Sequence, residues 1–336
     1  MKRITISGNQ ENEFITDDKT SMVFLSSLID TKSGALDLNT RSDLKPKIIE
    51  FSDHRCELLY NTMDVWARDY MPIQLTQDVF LGYTYKPDYL VEYPNCVTNW
   101  QLHGVHADNK LNLEASVIQM PIILDGGNVV KAQLNGNPCF IMCDKVLKEN
   151  NVSRKAFDVW WHKWWNDNFE GTRMEYVLLP WEGKRLNPIG HADGMVRYIG
   201  GNRVLMTNYL DFDKKAGENS RKKIGSNLEQ ALTDAKFDVK KIEFWDKFRD
   251  DPRFLELLDE SWCYINYLQI GNRILVPSLG YKELDEEARK QIEDAFDNNA
   301  VSVKLIDVNM TPIVKEINKN QNSGGALNCL TWTIKR

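Results

Sequence analysis

The sequence predicts an α/β protein, a closed assembly of about five copies of one strand-rich unit around a central site. Tight turns recur at a near-constant interval, and amphipathic helical segments fall between them. In addition, 42% of the 336 residues are hydrophobic, enough to bury a large core in one architecture. Periodicity alone leaves an open α/β sheet as the alternative.

The turns come first. The segments AQLNGNPCFIM, VRYIGGNRVLM and LQIGNRILVP each place a Gly-Asn or Asn-Gly step between two apolar runs, which supplies the positive φ of a tight hairpin. They centre on Gly136, Gly201 and Gly271, which are 65 and 70 residues apart. A weaker match, MPIQLTQDVFLGYTY, turns near Asp78, 58 residues before Gly136. One fifth of the chain is about 67 residues, close to these intervals. Between the turns, RKAFDVWWHKWWNDNF carries apolar residues at Phe157, Trp160, Trp161, Trp164 and Trp165, a helical spacing. SRKKIGSNLEQALTDAKF and DEEARKQIEDAFDNN also read as amphipathic helices, the first with an unfavourable Gly225 inside it. No linker or low-complexity tract interrupts the chain, so residues 1–336 are read as one domain.

Composition narrows the partners. The net charge of −6 and pI near 5.5, without a long basic run, argue against nucleic acid. A mildly acidic chain suits a cationic ligand. No apolar run reaches ~18 residues, so no membrane span is expected. The start MKRITISGNQENEF lacks a signal-peptide core, which points to the cytoplasm. Six scattered cysteines suit free thiols in a reducing compartment. Cys139 and Cys143 lack CxxC spacing and a nearby histidine, so no metal site is expected. The sequence leaves the oligomeric state open.

Four short segments are poorly suited to ordinary packing: WARDYMP at 66–72, LDGGNVV at 124–130, GHADGMVR at 190–197 and NSGGALNCLTW at 322–332. Each has an ordinary reading. Arg68–Asp69 can be a surface charge pair, Gly126–Gly127 a turn, His191 a structural histidine and Cys329 a small buried apolar residue. Together they read differently. If GHADGMVR begins a strand, His191 and Asp193 share a face, and Ala192 turns away. The glycines before Cys329 let the backbone come close to a ligand. Only a ring of repeated units brings the four segments together.

These motifs resemble the guanidino-group-modifying superfamily, in particular its agmatine deiminase and Porphyromonas-type peptidylarginine deiminase branch. That branch shows W-x-R-D, [ED]-G-G-N, G-H-x-D and G-G-x-x-x-C-x-T in order. Here they stand as WARD, DGGN, GHAD and GGALNCLT, and CYINYLQIGNRILVPSLG is similar to a further branch segment. The resemblance runs from about residue 60 to the C-terminus. It implies a five-bladed pseudo-symmetric α/β propeller, the pentein fold, with a central active site and no cofactor. Asn328 stands where the branch usually has His. As a strand neighbour of Cys329 it is expected to face the other way. The segment before residue 60 lacks the Trp-Pro start of agmatine deiminases.

The resemblance implies a small cationic guanidino substrate. It gives Asp69 and Asp193 the role of holding the guanidinium by charge-assisted hydrogen bonds, and Cys329 the role of nucleophile. His191 would serve first as acid and then as base. Asn266, Trp66, Arg68 and Gly325 fall in the substrate-binding set. Asp125 is grouped with them but reads as a buried scaffold residue. The activity implied is hydrolysis of an agmatine-like guanidine to a ureido product and ammonia. The alternatives are a deiminase of free or peptidyl arginine, an amidinotransferase, and an inactive guanidino-binding protein.

Overall fold

The computed structural model describes residues 3–6, 12–30, 38–108, 117–181, 190–221, 223–297, 301–315 and 324–336. Its mixed α/β fold is built on a recurring sheet. Val130–Leu134 and Asn137–Cys143 form an antiparallel hairpin, and Glu175–Leu179 then pairs parallel with the second strand. Ile73–Gln74, Phe80–Thr84 and Val117–Ile123 repeat that order. So do Val196–Tyr198, Arg203–Met206 and Asp238–Lys241. Leu268–Ile270, Arg273–Ser278 and Ser302–Asn309 give the same pattern again. In the remaining large sheet the antiparallel pair comes from the two ends of the chain. Thr331–Ile334 pairs with Met22–Ser26, Cys56–Tyr60 follows in parallel, and His106–Ala107 adds an edge.

The parallel third strand requires a crossover, and helices supply it in four of these sheets. The crossover helices include Leu38–Phe51, Arg154–Asn168, Ile224–Asp234 and Lys282–Ala295. Of the helical segments read from sequence, residue 222 and residues 298–299 lie outside the described residues. Helix Arg154–Asn168 is capped by the Ser153 hydroxyl accepting from Ala156 N at 3.2 Å, and it buries Phe157, Trp161 and Trp165. Gly225 is explained by packing. A Cβ there would lie 2.3 Å from Leu210 N, so glycine lets this helix touch the backbone of helix Tyr209–Ala216.

The turns at Asp78, Gly136, Gly201 and Gly271 all link the two strands of a hairpin. Asn135 and Gly136 have φ of 51° and 80°, Gly200 and Gly201 96° and 62°, and Gly271 57°. These are conformations that glycine and asparagine adopt at least cost. Among the described residues, no helix is long and apolar enough to cross a membrane.

Candidate active site

Immediately before the first strand of each hairpin pair the chain makes a short helical turn. Five such turns hold the candidate residues. Asp69 lies in Ala67–Tyr70, and Asp125 caps Gly126–Asn128. His191 caps Ala192–Gly194, which contains Asp193. Asn266 follows Leu258–Tyr264, and Cys329 lies in Leu327–Leu330. The strand reading of GHADGMVR is thereby corrected. Met195 N bonds to Ala192 O at 2.9 Å and closes a 3-10 turn, and the strand begins only at Val196.

The turns bring together Cys329, Asp193, His191, Asp69, Asp125 and Asn266. Cys329 Sγ donates to Asp193 Oδ2 at 3.4 Å, and Cys329 N donates to Asn266 Oδ1 at 3.2 Å. Asn266 Nδ2 reaches Asp193 O at 3.4 Å. His191 Nε2 bonds Asp125 Oδ2 at 2.9 Å, and its Nδ1 lies 3.5 Å from Asp69 Oδ1. Gly127 marks where the groups converge: a Cβ on it would sit 2.5 Å from Asp69 Oδ1, 2.8 Å from His191 Nδ1 and 3.3 Å from Asp193 Oδ2. Its backbone N also donates to Asp69 Oδ1 at 2.9 Å.

The remaining predicted residues support this cluster. Trp66 is buried, and a Cβ on Gly325 would fall 2.3 Å from its ring, so the indole lies against the glycine backbone. Arg68 turns toward the nucleophile's turn. Its Nε donates to Asn328 O at 3.3 Å and its Nη2 to Thr333 Oγ1 at 3.2 Å. Asn328 does not face away as a strand neighbour would. On the helical turn its Nδ2 donates to Asp193 Oδ2 at 2.7 Å. Tyr89 joins the cluster, and so does Lys145, which was absent from the sequence-derived set. Tyr89 hydroxyl donates to Asp69 Oδ2 at 2.8 Å. The buried Lys145 ammonium lies 3.4 Å from Asp125 Oδ2, 2.9 Å from Asp88 Oδ1 and 3.1 Å from Glu149 Oε1. In sequence a buried lysine looks like any surface lysine.

Charge follows from this packing. Burial, then the Asp193 and Asp69 carboxylates, push the Cys329 thiol well above its ordinary range. Burial alone would lower the His191 pKa, but Asp69 and the Asp125 hydrogen bond outweigh it and raise it to about 9. Burial lifts Asp69 to about 6, with His191 opposing and Asp125 and Asp193 adding. Burial would also raise Asp125, but His191 and Lys145 hold it below the usual carboxylate range. The site therefore pairs a neutral thiol with an imidazolium among carboxylates. Such an arrangement can hold a planar cation and pass a proton beside it. Among the described residues, no group of three or more His, Cys, Asp or Glu side chains is placed to hold a metal ion.

The fold has solved counterparts. Agmatine deiminase of C. jejuni matches with a TM-score of 0.65 at 15% identity, covering 96% of each chain. Agmatine deiminase of Enterococcus faecalis matches at 0.62 and 14% identity over 100% of both chains. At these identities the likeness is one of fold. No curated protein matches the chain. Residues 36–334 match the family described as Porphyromonas-type peptidyl-arginine deiminase, and the chain belongs to that family of guanidino-group deiminases.

Proposed function

We propose that this protein hydrolyses a small guanidino compound of the agmatine type to a ureido product and ammonia through a covalent adduct on Cys329. The observation that carries the reading is the meeting of the Cys329 thiol with Asp193, while Asp69 and the Asp125-bound His191 close on the same space around Gly127. Solved structures of the same fold include agmatine deiminases. The reading extends to architecture: the five like sheets close into a five-bladed ring, with one helical turn of each facing the axis.

In this reading Asp69 and Asp193 accept N–H groups of the guanidinium and turn one face to Cys329. A free thiol beside two carboxylates resists ionisation, and the bound cation offsets those charges, so with substrate bound the thiol gives up its proton to solvent and attacks as the thiolate. Sulfur adds to the guanidinium carbon. The C–N bond breaks, and ammonia leaves with a proton from His191, whose Nδ1 lies on the Asp69 side. The neutral imidazole then takes a proton from water as its oxygen attacks the thiouronium carbon. The C–S bond breaks, and the ureido product and the thiol are released.

Tyr83 donates to the carbonyls of Asp69 and Met71 at 2.7 and 2.9 Å, which makes it scaffold. Asp88 pairs with Lys145. Tyr85 and Tyr89, joined at 2.8 Å between hydroxyls, remain as aromatic walls, a surface suited to a cationic or neutral tail. Agmatine is therefore expected to be processed with a higher kcat/KM than arginine. The test is ammonia release from a panel of guanidines by wild type and Cys329→Ser. The expected result is release by wild type and none by the variant, with His191→Ala accumulating an adduct on Cys329 visible by mass spectrometry. Turnover by Cys329→Ser would refute the nucleophile. Preference for arginine, free or in a peptide, would move the substrate and leave the chemistry.

A further inference from the structure

Asn328 stands beside Cys329 with only one of its two side-chain polar atoms hydrogen-bonded. Its Nδ2 donates to Asp193 Oδ2 at 2.7 Å, the same oxygen that accepts from Cys329 Sγ at 3.4 Å. Among the described residues its Oδ1 has no hydrogen-bond partner, and the residue is only 2% exposed. The carboxylate requires a donor, so the NH2 faces Asp193 and the carbonyl is the group left over. Covalent geometry keeps Oδ1 about 2.2 Å from Nδ2, whose partner is the Asp193 oxygen that also accepts from Cys329. The backbone is held on both sides: Asn328 N donates to Asn266 O at 3.0 Å, and Asn328 O accepts from Arg68 Nε at 3.3 Å. The side chain therefore has no easy route to solvent, and a buried carbonyl left unpaired is a standing cost.

A monosubstituted guanidinium supplies what is lacking. It carries five N–H donors in one plane. Asp193 Oδ2 already accepts from Asn328 and Cys329, so the two carboxylates take about three, and even an amidinium with its four N–H groups keeps one to place. We propose that the Asn328 carbonyl accepts a remaining N–H and is a third positioning group for the cation. The identity of the ligand rests on the deiminase reading, but the vacant acceptor does not. Asn328 thus links the two halves of the site. Its NH2 fixes Asp193, and its carbonyl meets the cation next to the sulfur that attacks it.

The test uses the full chain and two alkylating reagents on Cys329, with the site read by peptide mass. One reagent is 2-chloroacetamidine, a planar amidinium with N–H donors, and the other is neutral iodoacetamide. In Asn328→Leu the half-saturating amidine concentration should rise about tenfold or more, as expected for losing hydrogen bonds to charged groups, while the iodoacetamide rate changes less than about twofold. Asn328→Asp shares a proton with Asp193, keeps a carbonyl acceptor and should return the amidine value to within about threefold of wild type. Asn328→Ala serves with the same readouts if the leucine variant does not fold. An unchanged amidine value, equal slowing of both reagents, or a wild type without amidine preference would each overturn the proposal. Ammonia release tests the reaction separately. A wild type that takes the amidine selectively but releases no ammonia keeps the Asn328 contact and loses the deiminase reading.

Discussion

At Cys329 the charge of neighbouring groups decides what a single side chain can do. Burial and two carboxylates keep the thiol protonated, whereas His191, between Asp69 and Asp125, keeps its proton to about pH 9. Two protonation events should therefore bound the activity. Asp69 must be ionised to accept from a cation, so kcat/KM should rise as pH passes its value of about 6. His191 must be protonated to release ammonia, so kcat/KM should fall as pH passes about 9. The two limbs belong to an interacting pair and are read as apparent values. Asp125→Asn removes a charge and the charged partner of the Asp125–His191 hydrogen bond, both of which raise the His191 pKa, and should move the upper limb to lower pH by about one unit or more. A pH–rate profile of the variant checks this, and an unmoved upper limb would assign that limb to another group.

At the scale of the element, the site is a set of helical turns, each just before a hairpin. Residue types made these segments visible in sequence, because an Asp beside paired glycines, or a Cys after them, has little reason to sit in an ordinary strand start. Their conformation was not visible. Period-two reasoning put His191 and Asp193 on one strand face, and the 3-10 turn puts them in one pocket by another route. The same error turned Asn328 away from Asp193, its actual partner. Lys145 was hidden for a different reason, since its role depends on contacts across the chain. Gly127 gives the element-scale test. It donates its N–H to Asp69 and leaves no room for a Cβ among Asp69, His191 and Asp193. Gly127→Ala should retain the fold by circular dichroism, because the groups it meets are side-chain ends. It should lower kcat/KM by about 100-fold, as expected when catalytic groups are displaced by about 1 Å. Activity within about threefold of wild type would mean that these side chains do not need their present positions.

Across the whole molecule, three hairpins were legible because glycine and asparagine mark positive φ, and a fourth, near Asp78, only by its interval from Gly136. The fifth was not, because its strands, Met22–Ser26 and Thr331–Ile334, lie at opposite ends of the chain. The segment leading into Met22 also escaped the motif reading, yet it touches all five large sheets. Ile15 N bonds Leu75 O in the Ile73–Thr84 hairpin at 2.8 Å, and Ser21 N bonds Ile334 O at 2.8 Å. Thr20 Oγ1 donates to Gln269 O at 3.3 Å. Asp17 accepts from Arg197 at 2.8 Å and faces Lys131 at 3.9 Å, on strands of two further sheets. Asp17 is thus the counter-charge of two buried cations. Burial overrides Asp17 and lowers Lys131 to about 8, with Arg68 and Arg197 adding to the fall. Asp17→Asn should destabilise the fold by about 3–5 kcal/mol at pH 7, because it leaves those cations buried without a partner. The pH dependence separates this from simple loss of a contact. Lys131 binds fewer protons folded than unfolded between about 8 and its ordinary ~10.4, so its contribution to stability rises with pH across that window. Without Asp17 its folded value falls further and the window widens. The deficit of Asp17→Asn should therefore shrink between pH 7 and pH 10, though not vanish, since Arg197 stays charged. Urea unfolding of both proteins at the two pH values measures it. A deficit that is constant with pH would mean that Asp17 acts through packing alone.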